Sequence, residues 1–206
     1  MESYMNRISN TGIVPVVKIL EKEDAYPLAK ALLNGGIDVI EVTYRSEHAT
    51  SAIQTISEQL PDMLVGAGTV LSVEQAKEAV EAGAKFIITP GFNTKVVQWC
   101  LDHDVEVYPG VSTASEVEMA LSMGLTQLKF FPAESSGGAK KLKDLSAPYA
   151  NVHFMPTGGI NTKNMHDYLS LPNVEAIGGS FMLPNDLVVA KDWDGIEALS
   201  KAAIKS

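Results

Sequence analysis

The chain has one cysteine, Cys100, and two arginines, Arg7 and Arg45, in 206 residues. A lone cysteine excludes an internal disulfide framework. Cys100 falls in the helix-like stretch Asn93–Asp102 beside Trp99 and Leu101, where the role of a small buried apolar residue suits it better than that of a nucleophile. No uncharged apolar run approaches the roughly 20 residues of a membrane span. The opening residues MESYMNRISN lack the apolar core of a signal peptide, so a soluble, cytoplasmic protein is expected. Basic residues are also scarce: 16 Lys and Arg stand against 25 Asp and Glu, a net charge of −9. That balance argues against a surface that tracks nucleic-acid phosphates. The densest basic group, Lys140, Lys141 and Lys143, reads as a solvated helix face. The four histidines, His48, His103, His153 and His166, are scattered at no metal-binding spacing, and no metal site is expected.

What the chain does contain is a regular alternation. Apolar residues make up 46% and charged residues 20%, ordinary for a globular protein, and the length suits one domain over residues 1–206. Short β-rich runs recur: Gly12–Ile19, Val39–Arg45, Met63–Val70, Phe86–Gly91, Glu106–Val111, Gln127–Ala133, His153–Gly159 and Val174–Ser180. Near-continuous apolar strands separated by helices point to a parallel sheet covered on its faces. Ser72–Gln75 and Thr113–Glu116 match the capping box that opens a helix. Gly35-Gly36, Gly83 and Gly124 suit helix ends, and Pro61 and Pro172 lie just past two further helices. Eight such units, after a short helical lead-in, predict an α/β fold, a single compact (β/α)₈ TIM barrel with short loops. An open doubly wound sheet is the rival, disfavoured by the unit count.

Active sites of barrels lie at the C-terminal ends of strands, so polar residues there carry the information. On the second strand Glu41, Thr43 and Arg45 share one face. A guanidinium at a strand tip suits a carboxylate, although a structural Glu41–Arg45 ion pair is the alternative. On the sixth strand Lys129 shares a face with Gln127 and Phe131 inside the apolar run LKFF. An amine taken out of water favours its neutral form, and a neutral amine can attack a ketone to form an imine. A lysine paired with a buried carboxylate, Glu41 included, is a comparable reading. Lys18, at the end of the first strand, is a second candidate nucleophile, and residue physics alone does not choose between the two. Thr69 ends the third strand behind Gly66-Ala67-Gly68, where small residues allow close approach of backbone or ligand. Gly158-Gly159 after Thr157, and Gly178-Gly179 before Ser180, end the last two strands, where barrels frequently bind phosphate. Together these glycine pairs point to an anionic substrate.

The segments EVTYR, VGAGTV, ITPG, LKFFPAE, PTGG and IGGS occur in this order along nearly the whole chain. They resemble the signature segments of the 2-keto-3-deoxy-6-phosphogluconate (KDPG) / 4-hydroxy-2-oxoglutarate (KHG) aldolases. The resemblance implies a homotrimer of compact (β/α)₈ barrels that needs neither metal nor other cofactor. It implies Lys129 as the Schiff-base nucleophile and Glu41 as the general acid/base. It implies Arg45, helped by Thr69, as the partner of the pyruvyl carboxylate, with Pro90 and Phe131 as apolar contacts. Thr157, Gly158, Gly159, Gly179 and Ser180 are implied at the distal end of the substrate. Lys18 stands where many relatives carry arginine, which bears on how a distal phosphate or carboxylate is held. The activity implied is cleavage of a 4-hydroxy-2-oxo acid to pyruvate and an aldehyde, glyceraldehyde 3-phosphate or glyoxylate. A 6-phosphogalactonate-type aldolase, a sugar-phosphate isomerase or epimerase, and a non-catalytic sugar-acid-binding relative are the alternatives.

Overall fold

A computed structural model describes residues 4–205. It begins with the expected lead-in helix, α1 (Met5–Thr11), closed by Gly12 in the left-handed conformation. All eight expected strand segments form. They are β1 (Ile13–Val17), β2 (Val39–Thr43), β3 (Leu64–Gly68), β4 (Phe86–Ile88), a run at 106–111, β7 (Gln127–Phe130), β8 (His153–Pro156) and β9 (Ile177–Gly179). The run at 106–111 is divided into β5 (Glu106–Tyr108) and β6 (Gly110–Val111). The break falls at Pro109, which has no N–H for a ladder; its carbonyl still accepts from the Lys129 N–H at 3.0 Å.

Every pairing is parallel. Six strands form one sheet in the order β5-β4-β3-β2-β1-β9, and β6-β7-β8 form a second. The two meet at Pro109, and isolated bridges Phe154↔Val174 and Thr157↔Gly178 link β8 toward β9. Continuity at one edge and contact at the other mean that the parallel sheet is curled rather than flat.

Helices follow the strands: α2 (Ala25–Asn34), α3 (Ala49–Gln59), α4 (Val73–Glu81), α5 (Thr94–Asp102), α6 (Ala114–Ser122), α7 (Gly138–Ser146) and α8 (Met165–Leu169). The last unit carries two, α9 (Asn185–Ala190) and α10 (Trp193–Lys205), where a single helix was expected. The Thr113–Glu116 capping box is complete. The Ser72 box is half made, because Gln75 Oε1 takes the N–H of Leu71, not that of Ser72. No helix among the described residues is long and apolar enough to cross a membrane.

Strand alternation sorts the core in two. Ile40, Val42, Val65, Ala67, Ile87, Leu128, Phe130 and Phe154 pack toward the helices. Val14, Val39, Leu64, Phe86, Ile88, Tyr108, Met155 and Ala176 form a separate cluster that is closed by Met5 and Ile8 of α1. Arg7 Nε on Asp38 (2.7 Å) and Thr11 Oγ1 on Asp38 (2.6 Å) hold α1 in place. This inner cluster takes the first inward positions of β2, β3 and β4, and on β2 the next inward positions are the polar Glu41 and Thr43.

Candidate active site

Glu41 lies in the middle of β2, beside Gly66 of β3 and Val16 of β1. Its neighbours Ile40 and Val42 face the helices, so alternation turns Glu41 to the opposite side, where it is completely buried. Lys129 is placed the same way on β7, between outward Leu128 and Phe130, and is 4% exposed. β2 and β7 share no ladder, yet Lys129 Nζ donates to Glu41 Oε1 at 3.1 Å. The pair therefore spans the interior of the curled sheet. Taking two charges out of water costs several kcal/mol per ion, which only close, well-placed partners offset. The other carboxylate oxygen, Glu41 Oε2, is buried without a hydrogen-bond partner among the described residues. Space for this carboxylate comes from Gly68, where a Cβ would stand 2.0 Å from Glu41 Oε1. Phe131, half-buried, places its ring centroid 5.3 Å from Lys129 Nζ.

The glycines of VGAGTV thus make room for side chains of the protein itself: Gly68 for Glu41, and Gly66 for the Phe86 ring. Thr69 follows with φ 54°, a conformation a β-branched residue rarely adopts. Such strain gathers at functional sites. Gly178 is likewise filled, by Thr157, whose Oγ1 is buried without a partner among the described residues. Gly179 is buried, whereas Gly158 and Gly159, both at positive φ, lie nearer the surface and Ser180 is exposed.

Arg45, at the tip of β2, is exposed and is not paired with Glu41, so the structural ion pair weighed from the sequence is not what forms. Its Nε donates to Thr43 Oγ1 at 3.0 Å. Lys18, also exposed, lines a cleft of about 420 Å³ together with Val16, Arg45 and Ser180. Lys18 and Arg45 also face a smaller cleft of about 220 Å³ with Ser46, Glu47 and His48. Pro90 lies apart from these, in a depression it shares with Leu71, Thr89 and Phe92. The geometry thus brings Lys129, Glu41 and Phe131 together inside and Lys18, Arg45 and Ser180 together at the mouth. Lys18 is not in contact with Glu41 in the way Lys129 is.

The chain matches the family model described as KDPG and KHG aldolase over residues 4–199. The chain belongs to this aldolase family. It is 44% identical over 205 residues to the 2-dehydro-3-deoxy-phosphogluconate aldolase of Treponema pallidum, spanning 100% of this chain and 98% of that protein. It is 44% identical over 199 residues to the KHG/KDPG aldolase of Escherichia coli K12, spanning 96% of this chain and 93% of that one. Among solved structures, the KDPG aldolase of Legionella pneumophila with pyruvate captured as a covalent carbinolamine superposes with a TM-score of 0.94 at 40% identity, over 97% of each chain. The protein is accordingly an aldolase acting on a small molecule.

Within this aldolase, sequence reasoning placed Thr43 on the inward face but assigned it no task. It is buried, donates to the Val17 carbonyl at 2.7 Å and accepts from Arg45. Tyr168 was missed, and Glu134 was read only as the end of LKFFPAE: their side chains are hydrogen-bonded, and Glu134 packs against the Cα of Gly159. Burial, then the Glu134 carboxylate, pushes the Tyr168 hydroxyl well up, so it stays a donor. A buried tyrosine with its hydroxyl near a glycine pair is a signal only once the fold has joined residues 134 and 168. Cys100 is buried in α5, and burial pushes its thiol up to about 12, in keeping with an apolar role.

Proposed function

We propose that this aldolase is of the Schiff-base class and cleaves a 4-hydroxy-2-oxo acid, 2-dehydro-3-deoxy-6-phosphogluconate or 4-hydroxy-2-oxoglutarate, to pyruvate and an aldehyde. The observation that carries this is the buried contact of Lys129 Nζ with Glu41 Oε1 at 3.1 Å. It sets an amine beside a group that can take and return its proton.

In this scheme Lys129 Nζ attacks the C2 ketone, and the resulting carbinolamine loses water to give a protonated imine. Glu41 removes the proton from the C4 hydroxyl, and the C3–C4 bond breaks with its electron pair moving into the imine, which becomes an enamine. The aldehyde leaves. Protonation of the enamine at C3, with the proton returned from Glu41, and hydrolysis of the imine release pyruvate and the free amine. Glu41 Oε2, which has no partner among the described residues, is the oxygen free to receive the C4 hydroxyl proton. Arg45 offers its cation to the substrate carboxylate, with Thr69 beside it, while Phe131 and Pro90 are apolar walls. Lys18 with Ser180, and Thr157 with Gly158, Gly159 and Gly179, receive the distal end. The charge of Lys18 suits a phosphate or a second carboxylate equally, and the naming of relatives for phosphogluconate favours the phosphate. In the same reading residues 1–206 form one domain, β1–β9 close as a (β/α)₈ barrel, and the protein works as a cytoplasmic homotrimer.

Borohydride reduction in the presence of pyruvate, followed by peptide mass mapping, tests this. A pyruvyl adduct on Lys129 is the expected outcome. An adduct on Lys18 instead moves the nucleophile, and no adduct at saturating pyruvate overturns the Schiff-base mechanism.

A further inference from the structure

The two arginines of the chain have opposite circumstances. Arg7 is paired with Asp38 at 2.7 Å and serves to hold α1. Arg45 has no carboxylate partner among the described residues, and its guanidinium is held by one neutral group, the hydroxyl of Thr43, at 3.0 Å. Thr43 is 1% exposed, and both functions of its hydroxyl are used. Its single proton goes to the Val17 carbonyl at 2.7 Å, which turns a lone pair toward Arg45 Nε. Val17 is the last residue of β1 and precedes Lys18. The hydroxyl thus ties the tips of β1 and β2 together, directly beneath the cleft lined by Lys18, Arg45 and Ser180.

We infer that Thr43 is a positioning residue that orients Arg45 for carboxylate recognition. The inference rests on the assignment of Arg45 to the substrate carboxylate. Arginine recognises a carboxylate through paired N–H groups in a planar fork. With Nε committed to Thr43, the two terminal nitrogens are the pair presented to the cleft. An exposed arginine otherwise samples many rotamers, and ordering them opposes binding. Because the proton of Thr43 is fixed by a backbone carbonyl, its lone pair cannot rotate away from Arg45. A valine of the same shape removes both bonds and keeps the packing; a serine keeps both bonds.

The test is the pyruvate concentration giving half-maximal borohydride trapping on Lys129. Thr43→Val should raise it about tenfold, the effect of losing one hydrogen bond to a charged group, with the maximal trapping rate little changed. Thr43→Ser should stay near the parent value. In an Arg45→Ala background, Thr43→Val should cause no further rise, since the group it positions is gone. A folded Thr43→Val with the parent half-saturation, or losses that multiply in the Arg45→Ala background, overturns the inference while leaving the Schiff-base mechanism intact. Absence of any adduct in the parent protein overturns both. Should Thr43→Val not fold, Thr43→Ala carries the same outcomes.

Discussion

The interior of the curled sheet has two unlike halves. In one half, Val14, Val39, Leu64, Phe86, Ile88, Tyr108, Met155 and Ala176 pack into one apolar cluster sealed by α1. Two and four residues past Val39 the same face of β2 carries Glu41 and Thr43, two past Met155 comes Thr157, and β7 adds Lys129, all buried and polar. The openings differ as well. The C-terminal cleft presents Lys18 and Arg45, whereas a groove of about 360 Å³ at the other end is lined by Asp104, Glu106 and Gln127 and by no lysine or arginine. An anion is attracted to the first and repelled by the second. The apolar half supplies stability, and that stability is what allows the other half to keep an ion pair in a dry interior. Parallel strands place ligand sites at their C-terminal ends, and here the division can be traced to single positions of alternation.

Substitutions on the two sides of this boundary should separate activity from stability. Lys129→Ala should abolish imine formation and reduce turnover to background. It should also destabilise the fold by about 3–5 kcal/mol, because Glu41 is left buried without its cation. Phe86→Ala, at the apolar end, should cost a similar 3–5 kcal/mol yet leave kcat of the folded fraction unchanged; denaturant titration beside steady-state kinetics distinguishes them. Glu41→Gln should slow turnover about 10²–10⁴-fold, the usual worth of a general acid/base, while trapping on Lys129 survives.

The sharpest comparison uses two glycines on one strand. A Cβ at Gly68 would meet Glu41 Oε1 at 2.0 Å, and one at Gly66 would meet the Phe86 ring at 2.1 Å. The crowding is equal, but the groups displaced are not. Gly68→Ala should lower kcat about 10²-fold, as expected for a reacting group moved by about 1 Å. Gly66→Ala should cost about 1–3 kcal/mol of stability by overpacking with far less effect on kcat. Equal effects of both on kcat would break the division between the halves.

Much of this was legible in the residues. The eight apolar runs mark the strands because parallel strands are buried on both faces. Lys129, Glu41 and Arg45 stand out because a polar residue inside such a run needs a reason. What fills the space beside a glycine was not legible: Gly66-Ala67-Gly68 reads as an approach for backbone or ligand, and only the register of β2, β3 and β4 puts Glu41 and Phe86 there. The pairing of Glu41 with Lys129 is one of two comparable readings of the residues and does form; curvature brings it about, since strands far apart in the order face each other only when the sheet bends. The task of Thr43 depends on which carbonyl of β1 lies beside it. The break at Pro109 follows from a missing N–H, but whether a proline ends a strand or merely interrupts it is decided by the partners on either side.

The smallest effect lies outside both halves, at the start of α6. Glu116 is buried in part, which raises its pKa, but N–H and hydroxyl groups of Ser112 and Thr113 outweigh this and hold the carboxyl below its usual range. A carboxyl whose pKa is lower folded than unfolded stabilises the fold above its unfolded pKa, near 4.3. That contribution is lost as pH falls through the lower folded value. Thr113→Ala removes half of the capping box and should cost about 1 kcal/mol at neutral pH. It should cost less at a pH low enough to protonate Glu116 in the parent, where the charge-assisted bonds are lost there too. Thermal unfolding of both proteins at the two pH values checks this, and kcat at neutral pH should not change, because the cap touches neither the ion pair nor the cationic cleft. A penalty that grew on acidification would show that Glu116 is not the group that titrates.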